Sequence, residues 1–352
     1  MRVRLADIAQ KVNLSKVAVS QILQGAGSFR PETRDRVFEM SRKLGYHVNR
    51  AARAMRKGCF ETIGLVIRYE SFHIDLPAST IAGIAEELDK NALKMILIKA
   101  PDDLLIKKNS LAALSSSYMV DGLIVDCWDK IPDALREIAD KAAYPVSWIN
   151  TDSPHNSVLP DDKGAARMAT EYLLRLGHRK ICYVDCIAAE HFSGSERLAG
   201  YTQAMKAAGL SCRVFRRKVV KENRFEELSE LFSGAGQATA FVTYGPHDAQ
   251  PIILRATSLG LKVPEDLSVI CIGVSDNSLG ISITTLPCPE WVIGTTSVKI
   301  LLDRIKNQNS PLPSIVIPFG EIIGKTCAPL RQEQRIIKTI SKKRKDHVKK
   351  TS

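Results

Sequence analysis

The sequence predicts an all-α head of three short helices, joined by a linking helix to an α/β body of two doubly wound parallel-sheet lobes. Three observations carry that prediction. Across roughly the first 45 residues, apolar positions recur at helical spacing in three short runs. From Glu61 onward, short apolar strand-like runs alternate with amphipathic helical ones, the pattern of parallel α/β sheets. That alternation restarts after the DDKG at 161–164, giving about 100 and then about 130 residues, enough for two lobes.

Charge separates the same parts. Residues 1–60 carry 13 Lys/Arg against 4 Asp/Glu, and 331–352 carry 9 against 2. The total is +12, so the intervening body is at −4. A basic head and tail point to a polyanion, and a slightly acidic body to a separate task. A length of 352 residues suits two or three domains, and 45% hydrophobic with 25% charged residues is ordinary for a globular protein. No apolar run approaches the roughly 20 residues of a membrane span. MRVRLADIAQ is not followed by an apolar core, so no secretory signal is read and a cytoplasmic protein is expected. The eight cysteines are scattered, and they read as reduced, half-buried thiols. Cys182 and Cys186, four apart with no second pair nearby, do not make a zinc knuckle. Neither a metal nor a cofactor is expected.

In the head, Leu5, Ile8, Ala9 and Val12 mark the first amphipathic helix. Asn13-Leu14 turns the chain, and Ser15 is a good N-cap for a second helix burying Ala18, Val19, Ile22 and Leu23. GAGSFR is a loop, and Pro31 opens a third helix with inner face Val37, Met40 and Leu44, ended by Gly45. Three helices with so tight a turn between the first two read as a helix-turn-helix. Its second helix presents Lys16, Val17, Ser20, Gln21 and Gln24 outward. Such side chains reach base edges when a helix lies in the major groove, and Val17 suits a thymine methyl. A small helical bundle with a solvated face is the competing reading, and the charge of the head weighs against it. Next, NRAARAMRK at 49–57 is helix-compatible but has almost no apolar face, so it should fold only against a partner.

In the body, strands are expected at ETIGLVI, KMILIKA, VDGLIVD, YPVSWIN, KICYVDC, RVFRRKVV, TAFVTYG and DLSVICIGV. The helices between them run through STIAGIAEELDKN, DDLLIKKNSLAALSSSY, IPDALREIADKA, AARMATEYLLRLGH, SERLAGYTQAMKAAGL, NRFEELSELFSG and AQPIILRATSLGLKV. Ligands of open α/β sheets bind beyond the carboxyl ends of strands, so a two-lobed body should hold a small molecule in its cleft.

These residues resemble the LacI/GalR family of bacterial transcription repressors over residues 2 to about 328. DIAQKVNLSKVAVSQIL resembles the family's helix-turn-helix, and LGYHVNRAARAM its linker and hinge helix. ATEYLLRLGHRKI, SERLAGYTQAMKAAGL and LGLKVPEDLSVICIG resemble its effector domain, in order and spacing. The resemblance implies a body of periplasmic-binding-protein-like fold and a homodimer on a near-palindromic double-stranded operator. It implies that Ser15, Lys16, Val17, Ser20 and Gln21 meet a half-site. It further implies that Asn49 and Arg53 contact the central minor groove, and that Met55 wedges between base pairs where the family has Leu. The implied domains are 1–46, 47–60, 61–330 and a basic tail at 331–352.

The departures matter. Gln21 replaces the family's Arg, which shifts the preference from guanine toward adenine. Arg4 and Arg30 stand at capping positions, at a cost of about 1 kcal/mol per site, and are expected to gain phosphate contacts instead. Val48 replaces the linker Pro. Arg197 matches the family's effector-binding arginine, with Tyr244 beside it at the predicted cleft. Asn150, Gly245-Pro246 and Gly273 fall where carboxylates or amides are usual. Losing up to three carboxylates argues against an ordinary sugar as the effector. Trp148, near the cleft, is a candidate to stack on a ring, against the alternative of an aromatic at a strand end.

Two other classes fare worse. GEIIGKT at 320–326 looks like a phosphate loop but is one residue short, and no helix follows. HFSGSERL is not G-x-S-x-G, and no His is placed to activate Ser195; His178 reads as a structural residue at a helix end. A transport sugar-binding protein would need an export signal and no basic head. The tail reads as a solvated extension or as a nonspecific DNA arm.

Overall fold

The structure, a computed structural model, describes residues 3–23, 25–46, 58–68, 76–101, 105, 107, 110–126, 133–135, 144–186, 191–216, 228–232, 237–273, 280–307 and 311–330. The linking segment with Val48, Asn49, Arg53 and Met55, the tail at 331–352 and Gln24 lie outside the described residues. The chain divides into two compact units, Met1–Phe60 and Glu61–Ser352.

The head is built from α1 (Leu5–Val12), α2 (Lys16–Leu23) and α3 (Pro31–Lys43). Ile8, Ala9, Val12, Val19, Ile22 and Val37 form its core. Asn13 ends α1 in the left-handed region at φ 54°, with its N–H returned to the carbonyls of Ala9 and Gln10. The hydroxyl of Ser15 accepts the Ala18 N–H at 3.1 Å and caps α2. Arg36 donates to the Val12 carbonyl at 3.2 Å, placing a cation where α1 exposes unpaired carbonyls. Ala18 and Leu23, expected inside, are only partly buried.

The first lobe of the body contains β1 (Thr62–Arg68), α4 (Ala78–Lys90), β2 (Lys94–Ala100), α5 (Ser110–Tyr118), β3 (Gly122–Asp126), β4 (Val146–Ile149) and β5 (Ser157–Pro160). The second contains α6 (Asp162–Arg175), β6 (Ile181–Asp185), α7 (Phe192–Ala207), β7 (Arg213–Arg216), β8 (Ala240–Thr243), α8 (Pro246–Ser258), β9 (Ser268–Ile272) and β10 (Thr284–Leu286). Then α9 (Glu290–Lys306) and β11 (Ile315–Ile317) return to the first lobe. The sheet orders are β11-β5-β4-β3-β1-β2 and β10-β9-β8-β6-β7, with all ladders parallel.

Both faces of each sheet are covered along its central strands, and the alternation along those strands shows how. In β6, Cys182 and Val184 enter one core while Ile181 and Tyr183 enter the other. In β9, Val269 and Cys271 part from Ile270 and Ile272 in the same way. Strands buried on both sides read as continuous apolar runs, which is why they are conspicuous in the sequence.

The sequence reading missed β5, β10, α9 and β11, and with them the route of the chain. The lobes are not two successive halves, because the chain crosses between them near residues 161, 288 and 318. Of the helix expected over NRFEELSELFSG, Leu228 is helical and Ser229–Phe232 form a 3-10 turn, and the other residues lie outside the described ones. The segment resembling a phosphate loop is a closing strap. Thr326 accepts the Thr284 N–H at 2.7 Å and donates to the Val269 carbonyl at 2.6 Å, while Gly324 adopts φ 122° against Ile283.

His178 is part of the same closure. It is 2% exposed, and its Nδ1 lies 3.0 Å from the Thr239 hydroxyl. Its Nε2 lies 3.0 Å from the Ser268 hydroxyl and 3.1 Å from the Ala328 carbonyl, so Nε2 carries the proton that the carbonyl accepts. Burial pushes its pKa below the ordinary 6.5. The native imidazole therefore stays neutral while the unfolded chain takes up a proton, so stability is full above about pH 6.5 and falls as pH drops below it. His178→Gln should cost about 1–3 kcal/mol at neutral pH and flatten that acid slope. Urea unfolding at pH 7.5 and 5.5 checks both effects.

Candidate DNA-binding surface and effector cleft

On α2, burial and exposure are sharply divided. Val19 and Ile22 are fully buried, while Lys16, Val17 and Gln21 are exposed and Ser20 is partly so. Lys16 and Ser20, like Val17 and Gln21, are four residues apart, and Val17 and Ser20 are three apart, so the four lie on consecutive turns of one broad face. Val17 is 66% exposed, an uncovered apolar group amid polar ones. Ser15 stands exposed at the same helix start, but its hydroxyl is engaged in the cap.

Arg4 and Arg30 occupy N-cap positions without accepting a hydrogen bond, as their chemistry dictates. At Arg4 the loss is partly offset from the other side, because the Asp7 carboxylate accepts the Arg4 N–H at 2.8 Å. At Arg30 the following Pro31 has no N–H to satisfy. Both arginine side chains are exposed.

In the body, the carboxyl ends of β6, β8 and β9 meet the amino ends of α6, α7 and α8. Arg197 lies at the centre, 9% exposed. Its Nε donates to Asp162 at 2.6 Å, its Nη1 donates to the carbonyls of Tyr244 and Ile272, and its guanidinium stacks 4.3 Å from the centre of the Tyr244 ring. Burial works against the charge on Arg197, but Asp162 outweighs it and holds the pKa above the ordinary arginine value. Around this pair stand Asp185, joined to Arg216 at 3.1 Å, and Asp248, which accepts the Cys186 N–H at 3.3 Å.

The lobes are bridged by a relay. The Tyr244 hydroxyl lies 2.8 Å from the Ser193 hydroxyl, which lies 2.6 Å from His191 Nδ1. His191 Nε2 donates to the Asn150 carbonyl of the first lobe at 3.1 Å. Nδ1 also accepts the Ser193 N–H at 3.3 Å, which fixes the tautomer. Asn150 presents that carbonyl from the left-handed region, at φ 61°. Asn tolerates this conformation better than most residues.

Known families match both units. Residues 4–49 match the family described as bacterial regulatory proteins, lacI family. Residues 61–246, more than half of the chain, match the periplasmic binding proteins and sugar binding domain of LacI family, and 170–327 match a periplasmic binding protein-like domain. The chain belongs to the lacI family of bacterial regulatory proteins. It is a DNA-binding transcriptional regulator whose body is a periplasmic-binding-protein-like domain. Among similar proteins, the HTH-type transcriptional repressor PurR of Aliivibrio salmonicida is 26% identical over 316 residues, covering 87% of this chain and 93% of the relative. The same repressor from Klebsiella pneumoniae is 26% identical over 327 residues, covering 89% and 93%. Among solved structures, the lac repressor dimer bound to operator and the anti-inducer ONPF matches with a TM-score of 0.77 at 20% identity, over 93% of this chain and 100% of that one. A LacI family regulator from Enterococcus faecium with bound ribose matches with a TM-score of 0.61 at 24% identity, over 77% and 100%.

Against this lacI-family frame, the candidate effector residues divide. Arg197, Tyr244 and Asn150 come together in the network described. Gly273 adopts φ 116°, and a side chain added there would first meet Pro246 at 4.0 Å, so the edge beside it is open. Trp148 is a correction. It is 1% exposed and packs with Val125, Val146 and Leu111 in the first-lobe core, so it is not placed to stack on a ligand. Alternation along β4 contains the reason, because Trp148 shares its face with the inward Val146. Positions 150, 245–246 and 273 carry no carboxylate, while Asp162, Asp185 and Asp248 stand nearby, each no more than 2% exposed. Asp126 ends β3 on the first lobe and is 6% exposed. Asp185 and Asp248 escaped the sequence reading. One signal was available, a charged residue ending an apolar strand in ICYVD. Among the described residues no group of three or more His, Cys, Asp or Glu is placed to hold a metal.

Proposed function

We propose that this regulator is a cytoplasmic repressor, without enzymatic activity, that binds a near-palindromic operator as a homodimer and is modulated by a small molecule in the cleft of its body. The observation that carries the DNA half is the exposed face of α2, with Lys16, Val17, Ser20 and Gln21 opposite the buried Val19 and Ile22. In the major groove, Gln21 pairs with adenine, Val17 meets a thymine methyl, and Ser20 and Lys16 read or anchor beside them. Arg4 and Arg30, at the starts of α1 and α3, reach phosphates, and Ser15 stands at the start of α2. Asn49, Arg53 and Met55 serve the central minor groove, the last as an apolar wedge.

The relatives' names support a repressor, and the operator-bound lac repressor supports the dimeric mode of binding. No helix among the described residues is long and apolar enough to cross a membrane. Arg197, Tyr244, Asn150 and Gly273 frame the effector cleft. Coupling between cleft and DNA must be reciprocal: a ligand that weakens operator binding tenfold is itself bound tenfold more weakly by the operator complex.

Selection of duplexes from a random pool by the full-length protein, at one fixed salt concentration, tests the reading. A two-fold symmetric site with a constant central step is expected. Gln21→Arg should then move one half-site position from adenine to guanine, a change of about 1–3 kcal/mol in preference at that base. Binding without sequence preference, or an unchanged site in Gln21→Arg, would reject the assignment of α2 as the reading helix.

A further inference from the structure

We propose that His191 latches the two lobes of the body together and thereby sets how the cleft controls operator binding. The effect on DNA rests on the cleft being the effector site, whereas the latch rests on the hydrogen bonds of His191 alone. That ring has two duties. Its Nδ1 accepts the Ser193 N–H at 3.3 Å as the N-cap of α7, and its Nε2 donates to the Asn150 carbonyl of the first lobe at 3.1 Å. A neutral imidazole accepts at one nitrogen and donates at the other, so a single side chain serves both.

Both ends of the bridge are held by their own lobes. The His191 ring is buried and packs against Phe192, with ring centroids 4.4 Å apart. Asn150 holds φ 61°, and its N–H donates to the Val158 carbonyl at 3.0 Å. The next carbonyl, of Thr151, accepts the Ser157 hydroxyl at 2.7 Å. A left-handed residue other than glycine persists only where its surroundings over-determine it. Here β5 does so, and the Asn150 carbonyl is left aimed at the start of α7.

The latch is joined to the cleft. The Ser193 hydroxyl links His191 to the Tyr244 hydroxyl, and Arg197, further along α7, donates to the Tyr244 carbonyl. A ligand that displaces Arg197 or Tyr244 therefore pulls on the start of α7 and on the bridge. Lobes joined by a few crossing segments rock about them. A latch weights the arrangement in which it is made, and one neutral hydrogen bond does so roughly two- to tenfold.

His191→Asn and His191→Gln take the two duties apart. The Asn amide stands near the place of Nδ1, so it caps α7 and falls short of Asn150. The Gln amide stands near the place of Nε2, so it reaches Asn150 and caps poorly. Amide hydrogen exchange of the full-length proteins reads both duties. In His191→Asn, exchange at Trp148 and Asn150 should quicken by about two- to tenfold while Ser193 and Gly194 stay protected. In His191→Gln the pattern should reverse. Affinity for the duplex enriched by random-pool selection should change by about twofold or more in His191→Asn, and by less in His191→Gln. Unchanged exchange at Asn150 in His191→Asn, or one pattern shared by both variants, would overturn the latch. The expected exchange with unchanged duplex affinity would uphold the latch and reject the cleft's control of DNA. Should His191→Asn fail to fold, histidine-selective nitrogen NMR of the unaltered protein decides: a neutral ring with its proton on Nε2 is required, and one with its proton on Nδ1 overturns the latch.

Discussion

Arg197→Met should lower the stability of the body by about 3–5 kcal/mol. The guanidinium is the partner of Asp162, which is 2% exposed and has its other oxygen already without a hydrogen bond. Removing the cation strands that carboxylate in a site of low polarity and takes a donor from the carbonyls of Tyr244 and Ile272. The methionine fills much of the volume, so the loss is electrostatic and not a cavity effect. The double variant Arg197→Met with Asp162→Leu separates the two contributions. Replacing both members of a buried pair by apolar groups is often neutral, so the double variant should regain most of what the single one loses. Urea unfolding of the four proteins of this cycle measures it. A loss below about 1 kcal/mol in Arg197→Met, the range of surface pairs, would show that water reaches Asp162 and that the pair adds little to the fold. Arg197 therefore has a structural duty that its match to an effector-binding position conceals.

That concealment illustrates where the sequence stops being legible. The central strands were readable because both of their faces are covered, so ICYVD, AFVT and SVICI stand out as continuous apolar runs. The helix-turn-helix was readable because a cap, a tight turn and a helical rhythm fall within twenty residues. Partners distant in sequence were not readable. Nothing in the local text of Arg197 announces Asp162, 35 positions earlier, as its partner. Nothing around Asn150 announces His191 across the cleft. The missed helix α9 has a physical reason too. It is buried around much of its circumference, through Ile293, Gly294, Ser297, Val298, Ile300 and Leu301, so no clean apolar stripe distinguishes it. Trp148 could have been placed correctly, since a period of two puts it on the side of Val146. Its aromatic chemistry outweighed its parity in the sequence reading.

The second large effect is expected where α9 crosses α4. A side chain at Gly83 would collide with the Trp291 carbonyl, and one at Gly294 with the Thr80 carbonyl. Each glycine thus admits the backbone of the other helix. Gly294→Ala should cost about 1–3 kcal/mol net, the range for overpacking, even though alanine gains about 1 kcal/mol of intrinsic helix preference. The clash wins because its partner is helical backbone, which cannot rotate away as a long side chain would. Gly83→Ala should behave likewise. The two together should cost less than their sum, because a single separation of the helices relieves both collisions. Ser195→Ala, at an exposed position on α7, provides the neutral control. A rise in melting temperature in Gly294→Ala would show that helix preference dominates and that the helices tolerate a wider spacing. The expected loss has a consequence for the cleft. α9 begins directly after the crossing near residue 288 and leads into β11, so pushing it outward strains two of the three strands that connect the lobes. Gly294→Ala should therefore weaken ligand binding as well as stability.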